Sequence, residues 1–435
     1  MKKMLAILLA ALMMLSMLSG LAVAEEHDPI SIRISWWGDT VRHEKYNKIM
    51  DAFEAEYPWI KVERDYGTWN DYWDKLATQV GGGNAPDVMG MHQQYAADYV
   101  ARGVTLPLED YIAAGVIDIS NMTEGTLAGC KYDDKIVMLP MGITVTTFLV
   151  NKTLCDQVGI EIPAYGTPWT MSQFAQLAKD FRAKAEAAGI DAYFVNDIRD
   201  LHRMQDMMLR MEGLDMFTED GNLNFGVENV AAWYAYWKDI RDAGAMPDPE
   251  EVIEDASLTL EQKAFTNGKI AVFNVPVNQL YLYKTAMPDA ELVCEMVPTN
   301  DAGVSGAYLE GAHWAISSTS DKAHQDAAAL MINFLENAEG CWQYMLMDQG
   351  VPASSKMAEY IAPLLDESNQ IAIDFVGMVS KIVDRGFPYP PAGTTEIKAA
   401  FQENQEYTMF GYSSPEDAAK AFYDTALSIL EANKK

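Results

Sequence analysis

The chain has 435 residues, 49% hydrophobic and 22% charged, which suits a large two-lobed body or about two to three ordinary domains and rules out global disorder. Acids outnumber bases 63 to 32, a formal net charge of −31, and such a field repels phosphate backbones and anionic lipid, so no nucleic-acid or membrane-surface partner is expected. Four cysteines are too few for a disulfide scaffold, whereas 10 Trp, 21 Tyr and 15 Phe supply ample flat ring surface.

Lys2 and Lys3 open the chain, residues 4–18 are almost wholly apolar, and small residues lead to Ala22-Val23-Ala24 before Glu25. This is the pattern of a secretory signal over residues 1–24, cleaved after Ala24. The apolar run falls short of the roughly 20 residues that a membrane span needs. Leu18-Ser19-Gly20 is followed by Leu21 where a lipoprotein signal has cysteine, and the first cysteine is Cys130, so no lipid anchor is expected near the mature N-terminus.

Ile30-Ser31-Ile32-Arg33-Ile34-Ser35-Trp36 alternates like a half-buried strand, and Tyr46, Ile49, Met50 and Phe53 then follow at helical spacing up to Pro58. Ile60-Lys61-Val62-Glu63 reads as a second strand. Tyr72, Leu76 and Val80 line a second helix, which stops at Gly81-Gly82-Gly83-Asn84-Ala85-Pro86, and Asp87-Val88-Met89-Gly90-Met91 is a third strand. Strand and helix in alternation predict a parallel sheet covered by helices. The unit changes near Leu139-Pro140-Met141-Gly142, with an extended apolar run over 143–150 and helices near 170–188 and 228–243. Strands follow at Ile270-Ala271-Val272-Phe273 and Ala312-His313-Trp314-Ala315-Ile316-Ser317, then helices over 323–334 and from 415 to about 432. Two α/β lobes, with the chain crossing between them more than once, fit this rhythm.

Reactive motifs are scarce. His43-Glu44-Lys45-Tyr46-Asn47 misses the second histidine of a zinc helix, and the remaining histidines are isolated, so no metal is expected. Gly81-Gly82-Gly83 lacks the G-K-[ST] of a phosphate loop and reads as a helix stop. No G-x-S-x-G elbow occurs, and no cysteine pair has C-x-x-C spacing; Cys130, Cys155, Cys294 and Cys341 read as core residues or one incidental bridge. Neither a cofactor nor a catalytic residue is expected, although among 63 acids a carboxylate pair facing a cleft stays open.

Polar-aromatic clusters recur where strands end: Trp36-Trp37-Gly38-Asp39, then Tyr66-Gly67-Thr68-Trp69-Asn70-Asp71-Tyr72, then His92-Gln93-Gln94-Tyr95. Ligands of open α/β sheets collect outside the carboxyl ends of strands. Flat rings beside amides and carboxylates suit a sugar, whose C–H faces take the ring and whose hydroxyls pair with the polar groups. The bland alternative is that these aromatics are core.

Across essentially the whole mature chain the sequence resembles the extracellular solute-binding proteins of bacterial ABC importers, in the sugar-binding group that includes maltose-binding protein. The fragments that carry the resemblance stand in family order. They are Phe53-Glu54-Ala55-Glu56-Tyr57-Pro58-Trp59-Ile60-Lys61-Val62; Tyr72-Trp73-Asp74-Lys75-Leu76 with Gly83-Asn84-Ala85-Pro86-Asp87-Val88; Leu106-Pro107-Leu108; Tyr132-Asp133-Asp134-Lys135 with Leu139-Pro140 and Val150-Asn151-Lys152; Phe265-Thr266-Asn267-Gly268-Lys269-Ile270-Ala271; and a helix over 328–340. The resemblance implies a two-lobed periplasmic-binding-protein-like fold, each lobe a mostly parallel sheet flanked by helices, closing on ligand about hinge strands. Crossings are expected near 141–145, 307–312 and 350–354. Lobe one would then hold residues 25–142 and 310–352, and lobe two 143–309 and 353–435.

Positions matching the family's ligand contacts are Trp36, Trp37 and Asp39, and Trp69 of the second polar-aromatic cluster is a further candidate. Gln93, Gln94 and Tyr95 match as a loop, Asn278 and Gln279 as a turn, and Glu310, His313 and Trp314 lie near the second crossing. Arg199, Asp200 and His202 are further polar candidates. Thr144 and Val277 depart from the pattern of maltose-like relatives. The implied function is capture of a sugar or oligosaccharide by an exported, monomeric protein that hands it to ABC permease subunits. The alternatives are an exported carbohydrate-active enzyme with a carboxylate pair, or a ligand-sensing co-receptor.

Overall fold

In this computed structural model residues 27–123, 126–127, 129–132, 134–218, 220–383 and 390–433 are described, and the expected secretion signal lies outside them. Strand β1 (Ile30–Trp37) alternates at its start and is buried throughout its second half, as a strand does on passing under helices. Asp39 caps helix α1 (Thr40–Glu56) by accepting the Arg42 N–H at 3.1 Å. That helix buries Tyr46, Ile49, Met50 and Phe53 completely, each contributing about 1.5–3 kcal/mol of apolar transfer. Strand β2 (Ile60–Gly67), helix α2 (Trp69–Gly81) capped by Thr68, and β3 (Val88–His92) follow. Helix α3 (Gln93–Ala101) springs directly from β3, where a loop was expected. A small hairpin, β4 (Lys131–Tyr132) with β5 (Lys135–Ile136), precedes β6 (Leu139–Thr144).

The first sheet has the order β2-β1-β3-β11-β6, with β11 at Glu310–Ile316. Strands β1, β2 and β3 are parallel, while β11 runs antiparallel to β3 and β6. The second sheet, β10-β7-β9-β8, is built from β7 (Thr146–Asn151), β8 (Tyr193–Val195), β9 (Ile270–Pro276) and β10 (Leu292–Glu295). Only β8 and β9 are parallel there. The expected mostly parallel character therefore holds among β1–β3 and not in the second sheet. Chain crossing is the reason: β7 leaves β6 after Val145 alone, and β9 returns alongside it in the opposite direction.

The helices of the second body are α4 (Met171–Ala188), α5 (Val227–Asp242) and α6 (Leu280–Ala286). Back on the first sheet lie α7 (Lys322–Asn337), α8 (Glu339–Met345) and α9 (Ser355–Ile361). Helices α10 (Glu367–Val379), α11 (Thr394–Met409) and α12 (Pro415–Asn433) return to the second body, α11 and α12 packing with α5 and α10 with α6. Helix α9 packs on α7 and α8, and the Ser355 N–H bonds to the Asn121 carbonyl at 2.9 Å. The segment just after residue 353 thus packs with helices α7 and α8.

Where the crossing segments meet, backbones touch. Ile143 and Val351 exchange hydrogen bonds of 2.9 and 2.8 Å. A Cβ on Gly142 would stand 2.6 Å from the Gln349 carbonyl oxygen, and one on Gly350, whose φ is +108°, would stand 2.3 Å from that of Ile143. Only glycine permits this approach. All four cysteines are buried and free, and among the described residues no helix is long and apolar enough to cross a membrane.

Candidate functional site

A cleft of about 520 Å³ opens between the two sheets at the ends of β1, β3 and β9. The first body contributes Trp37, Asp39, His43, Trp69, Asn70 and His92 to its wall. The second contributes Asp200, Arg203, Lys263, Phe273, Asn274 and Gln279, among others. Thr144, Asn278, Glu310 and Gln349 floor it beside the crossings. Both faces of one hollow therefore come from different halves of the chain, as a clamp requires.

The aromatic wall is a packed assembly. Trp37 meets Trp69 edge-on at 5.1 Å between ring centroids, Tyr72 at 5.3 Å and Trp73 at 5.6 Å, and is 6% exposed. Trp69, at the first turn of α2, is half-buried and offers the more open ring. Rings locked in this way lose little freedom when a ligand stacks on them.

The polar wall centres on Arg203, which is 3% exposed. It donates to Asp206 at 2.7 Å, to the Tyr308 hydroxyl at 2.9 Å and to Glu310 at 3.1 Å, and Glu310 also accepts from the Thr146 hydroxyl. Burial pushes the Asp206 carboxyl up to about 8, against the pull of Arg203. Asp200 also faces burial, yet its bond to His202 and the charges of Lys398 and Arg203 prevail and hold it well below the usual carboxylate range. Burial lowers Lys398 to about 8, with Asp200 opposing. His92 falls to about 3 through burial and the nearby Lys398 charge, and is neutral at ordinary pH. The Asn274 amide nitrogen, buried on this wall, has no hydrogen-bond partner among the described residues and is a donor held ready.

Of the positions singled out in the sequence, Trp37, Asp39, Trp69, Thr144, Asp200, Asn278, Gln279 and Glu310 are brought together on the cleft, whereas Trp36, Gln93, Tyr95, Arg199, His202, His313 and Trp314 are not. Trp36 is fully buried between Tyr46 and Tyr66, so its expected contact is corrected to a core role. His313 and Trp314 sit in the fully buried middle of β11, Trp314 against Tyr46, and are corrected likewise. Gln93 opens α3 away from the cleft wall, and Tyr95 stacks on Trp73 at 4.0 Å; the Gln94 side chain is not described. Asp200 lines the cleft, whereas Arg199 pairs with Glu406 and His202 is buried behind. Asn278 lines it but is committed to the crossing: Thr144 donates to its amide oxygen at 2.6 Å, and its nitrogen donates to the Asp348 carbonyl.

Sequence reasoning missed His43, Arg203 and Asn274. The one available signal was the dense mixture of acids and bases from Asp197 to Asp206, set among Leu201, Met204 and Met207.

On both sides of the cleft, contacts tie one body to the other. Asp348, fully buried, takes Arg42 and the Tyr281 hydroxyl, with Lys45 at 3.5 Å. On α3, Asp98 accepts the Gly393 N–H at 2.6 Å, the Thr395 N–H at 3.1 Å and the Thr395 hydroxyl, capping the first turn of α11. Lys398 of α11 lies 4.2 Å over the Tyr95 ring of α3. Among the described residues no cluster of His, Cys, Asp and Glu has the makings of a metal site.

Comparison with known proteins agrees with this geometry. The sequence pattern of the bacterial extracellular solute-binding protein family matches residues 48–372. An uncharacterized lipoprotein of Streptomyces antibioticus is 26% identical over 177 residues, 40% of this chain and 38% of that protein, so the match spans well under half of the relative. A periplasmic oligogalacturonide binding protein from Yersinia enterocolitica, solved with saturated digalacturonic acid, superposes with a TM-score of 0.81 at 19% identity, covering 93% of this chain and 100% of that one. An ABC substrate-binding protein from Listeria monocytogenes in complex with cycloalternan gives 0.75 at 21% identity, with the same coverage. These likenesses establish a shared two-lobed fold.

Proposed function

The chain belongs to the bacterial extracellular solute-binding protein family, and we propose that this member captures a sugar or oligosaccharide between its lobes and delivers it to the permease of an ABC importer. The observation that carries the reading is the single cleft in which the Trp37 and Trp69 rings face Asp200, Asn274 and Gln279 from the other half of the chain. Rings cover the C–H faces of a pyranose while amides and carboxylates serve its hydroxyls. In this reading lobe one comprises residues 25–142 and 310 to about 365, and lobe two the remainder. The first lobe's extension past 352 is supported by the packing of α9 on α7 and α8. Ligand touching both walls favours the closed arrangement, and the permease reads that population.

Turnover is not part of this reading. Glycoside hydrolysis needs one carboxyl kept protonated as an acid. Among the cleft carboxylates Asp200 is held ionised, Glu310 is engaged by Arg203 and Thr146, and Asp39 caps α1 through the Arg42 N–H. Export with cleavage after Ala24 and a monomeric state complete the proposal.

A melting-temperature screen of the secreted protein against neutral and acidic oligosaccharides tests it. A ligand present at about 100 times its dissociation constant adds roughly 2.7 kcal/mol of stability. No shift with any glycan would contradict the proposal, as would a mature chain starting at Met1.

A further inference from the structure

His43 belongs to a helix segment that lacks the second histidine of a zinc motif. In the fold its ring has one orientation and one tautomer. Trp36 donates its indole N–H to His43 Nδ1 at 3.1 Å, and because an indole nitrogen only donates, Nδ1 must offer its lone pair. The proton of the neutral ring is then on Nε2, on the side of the imidazole turned away from buried Trp36. Nε2 has no hydrogen-bond partner among the described residues, and His43 lies half-buried on the cleft wall.

The ring is held in place by Tyr66, 4.3 Å away between centroids, and by the first turn of α1, where the His43 N–H bonds to the Asp39 carbonyl at 2.9 Å. The charged groups that face it are Asp39, Arg42 and Asp348. Burial first, and then Arg42, keep the imidazole below its ordinary value against the two carboxylates. Protonating Nδ1 would also set two N–H groups against each other. Beside His43, Asp39 spends its Oδ1 on the Arg42 N–H, which leaves Oδ2 as an acceptor on the same wall.

We propose that His43 Nε2–H and Asp39 Oδ2 act as a donor–acceptor pair that reads a neutral hydroxyl face of the ligand and turns away a carboxylate at that position. A hydroxyl can accept from His43 and donate to Asp39 together. A carboxylate would accept from His43 but meet the Asp39 charge, and an ammonium would satisfy Asp39 but confront an N–H. The assignment rests on the sugar-binding reading and narrows it to neutral sugars at the lobe-one end of the cleft.

Long-range proton–nitrogen NMR of the full chain labelled with 15N-histidine tests the pair. The samples are the protein alone and with maltotriose, cellotriose, mannotriose, xylotriose or, as the acidic arm, digalacturonate; His43→Phe identifies the resonance. The expected spectrum has an unprotonated Nδ1 and a protonated Nε2 that persist at about pH 6, where an ordinary histidine is largely charged. At least one neutral glycan should move these signals. In calorimetry His43→Phe should weaken that glycan about five- to tenfold, and Trp36→Phe, which frees the tautomer from behind the cleft, by less.

A proton on Nδ1, a neutral glycan indifferent to His43→Phe, or digalacturonate bound more tightly than every neutral glycan overturns the pair and leaves the solute-binding reading standing. If no oligosaccharide binds at all, the sugar reading falls, and the hydroxyl contact with it.

Discussion

Asp98 offers the cleanest way to disturb closure without touching the ligand wall. It does not line the cleft, yet its carboxylate on α3 caps the N-terminus of α11, which belongs to the other half of the chain. Replacing it by Ala deletes an N-cap worth about 0.5–2 kcal/mol and the favourable meeting of a carboxylate with a helix dipole, about 0.3–1 kcal/mol. Both terms count only when the bodies are together, so the closed arrangement should lose about 1–3 kcal/mol, roughly a 5- to 150-fold shift in the closed-to-open ratio. Apparent affinity falls with the fraction of binding-competent protein. Small-angle scattering of the ligand-free Asp98→Ala chain should show a larger radius of gyration than wild type, and calorimetry a weaker glycan with unchanged stoichiometry. Unchanged radius and affinity, with only a lower melting temperature, would mean that the contact never opens and that Asp98 has no part in closure.

Further outcomes follow from other parts of the cleft and core. Trp69→Ala should weaken glycan binding by about 1–3 kcal/mol in calorimetry and also lower the melting temperature modestly, because its half-buried ring packs on Trp37 and Trp73 and offers its remaining apolar area to the ligand. Arg203→Met should destabilise the chain by about 3 kcal/mol in denaturant melts, since it strips the counter-charge from buried Glu310 and a hydrogen-bond partner from buried Asp206. Glu336 is buried with neither carboxylate oxygen bonded among the described residues, and burial raises its titration well above the ordinary value. The folded state therefore retains a proton that the unfolded chain releases above about pH 4.5, so the group's stability is full below that point and is lost as pH rises. Glu336→Met should flatten the decline of melting temperature between about pH 5 and 8 and raise stability at the upper end by about 1–3 kcal/mol; an unchanged slope would contradict the assignment.

The alternation of β1 and the helical spacing in α1 and α2 were legible because each obeys one period over many residues. The site was legible only in part, and the failures have a physical pattern. Successive side chains of a strand point to opposite faces, so Trp36 and Trp37 had to part company. One joined Tyr46 in the core and the other reached the cleft, and nothing local says which. His313 and Trp314 failed because they sit in the buried middle of β11, whereas Glu310, at its start, reaches the cleft. The contacts of Arg203 with Glu310 and of Asp98 with Thr395 join segments brought close only by the chain's repeated crossing, so no local spacing announces them.

Titration calorimetry of the mature chain against the oligosaccharide that most raises its melting temperature bears directly on whether this molecule holds a sugar and releases it unaltered. The account predicts saturable heat at one ligand per chain and a flat baseline afterwards. Heat that continues after saturation, the mark of bonds being broken, would contradict it, and so would no heat from any glycan.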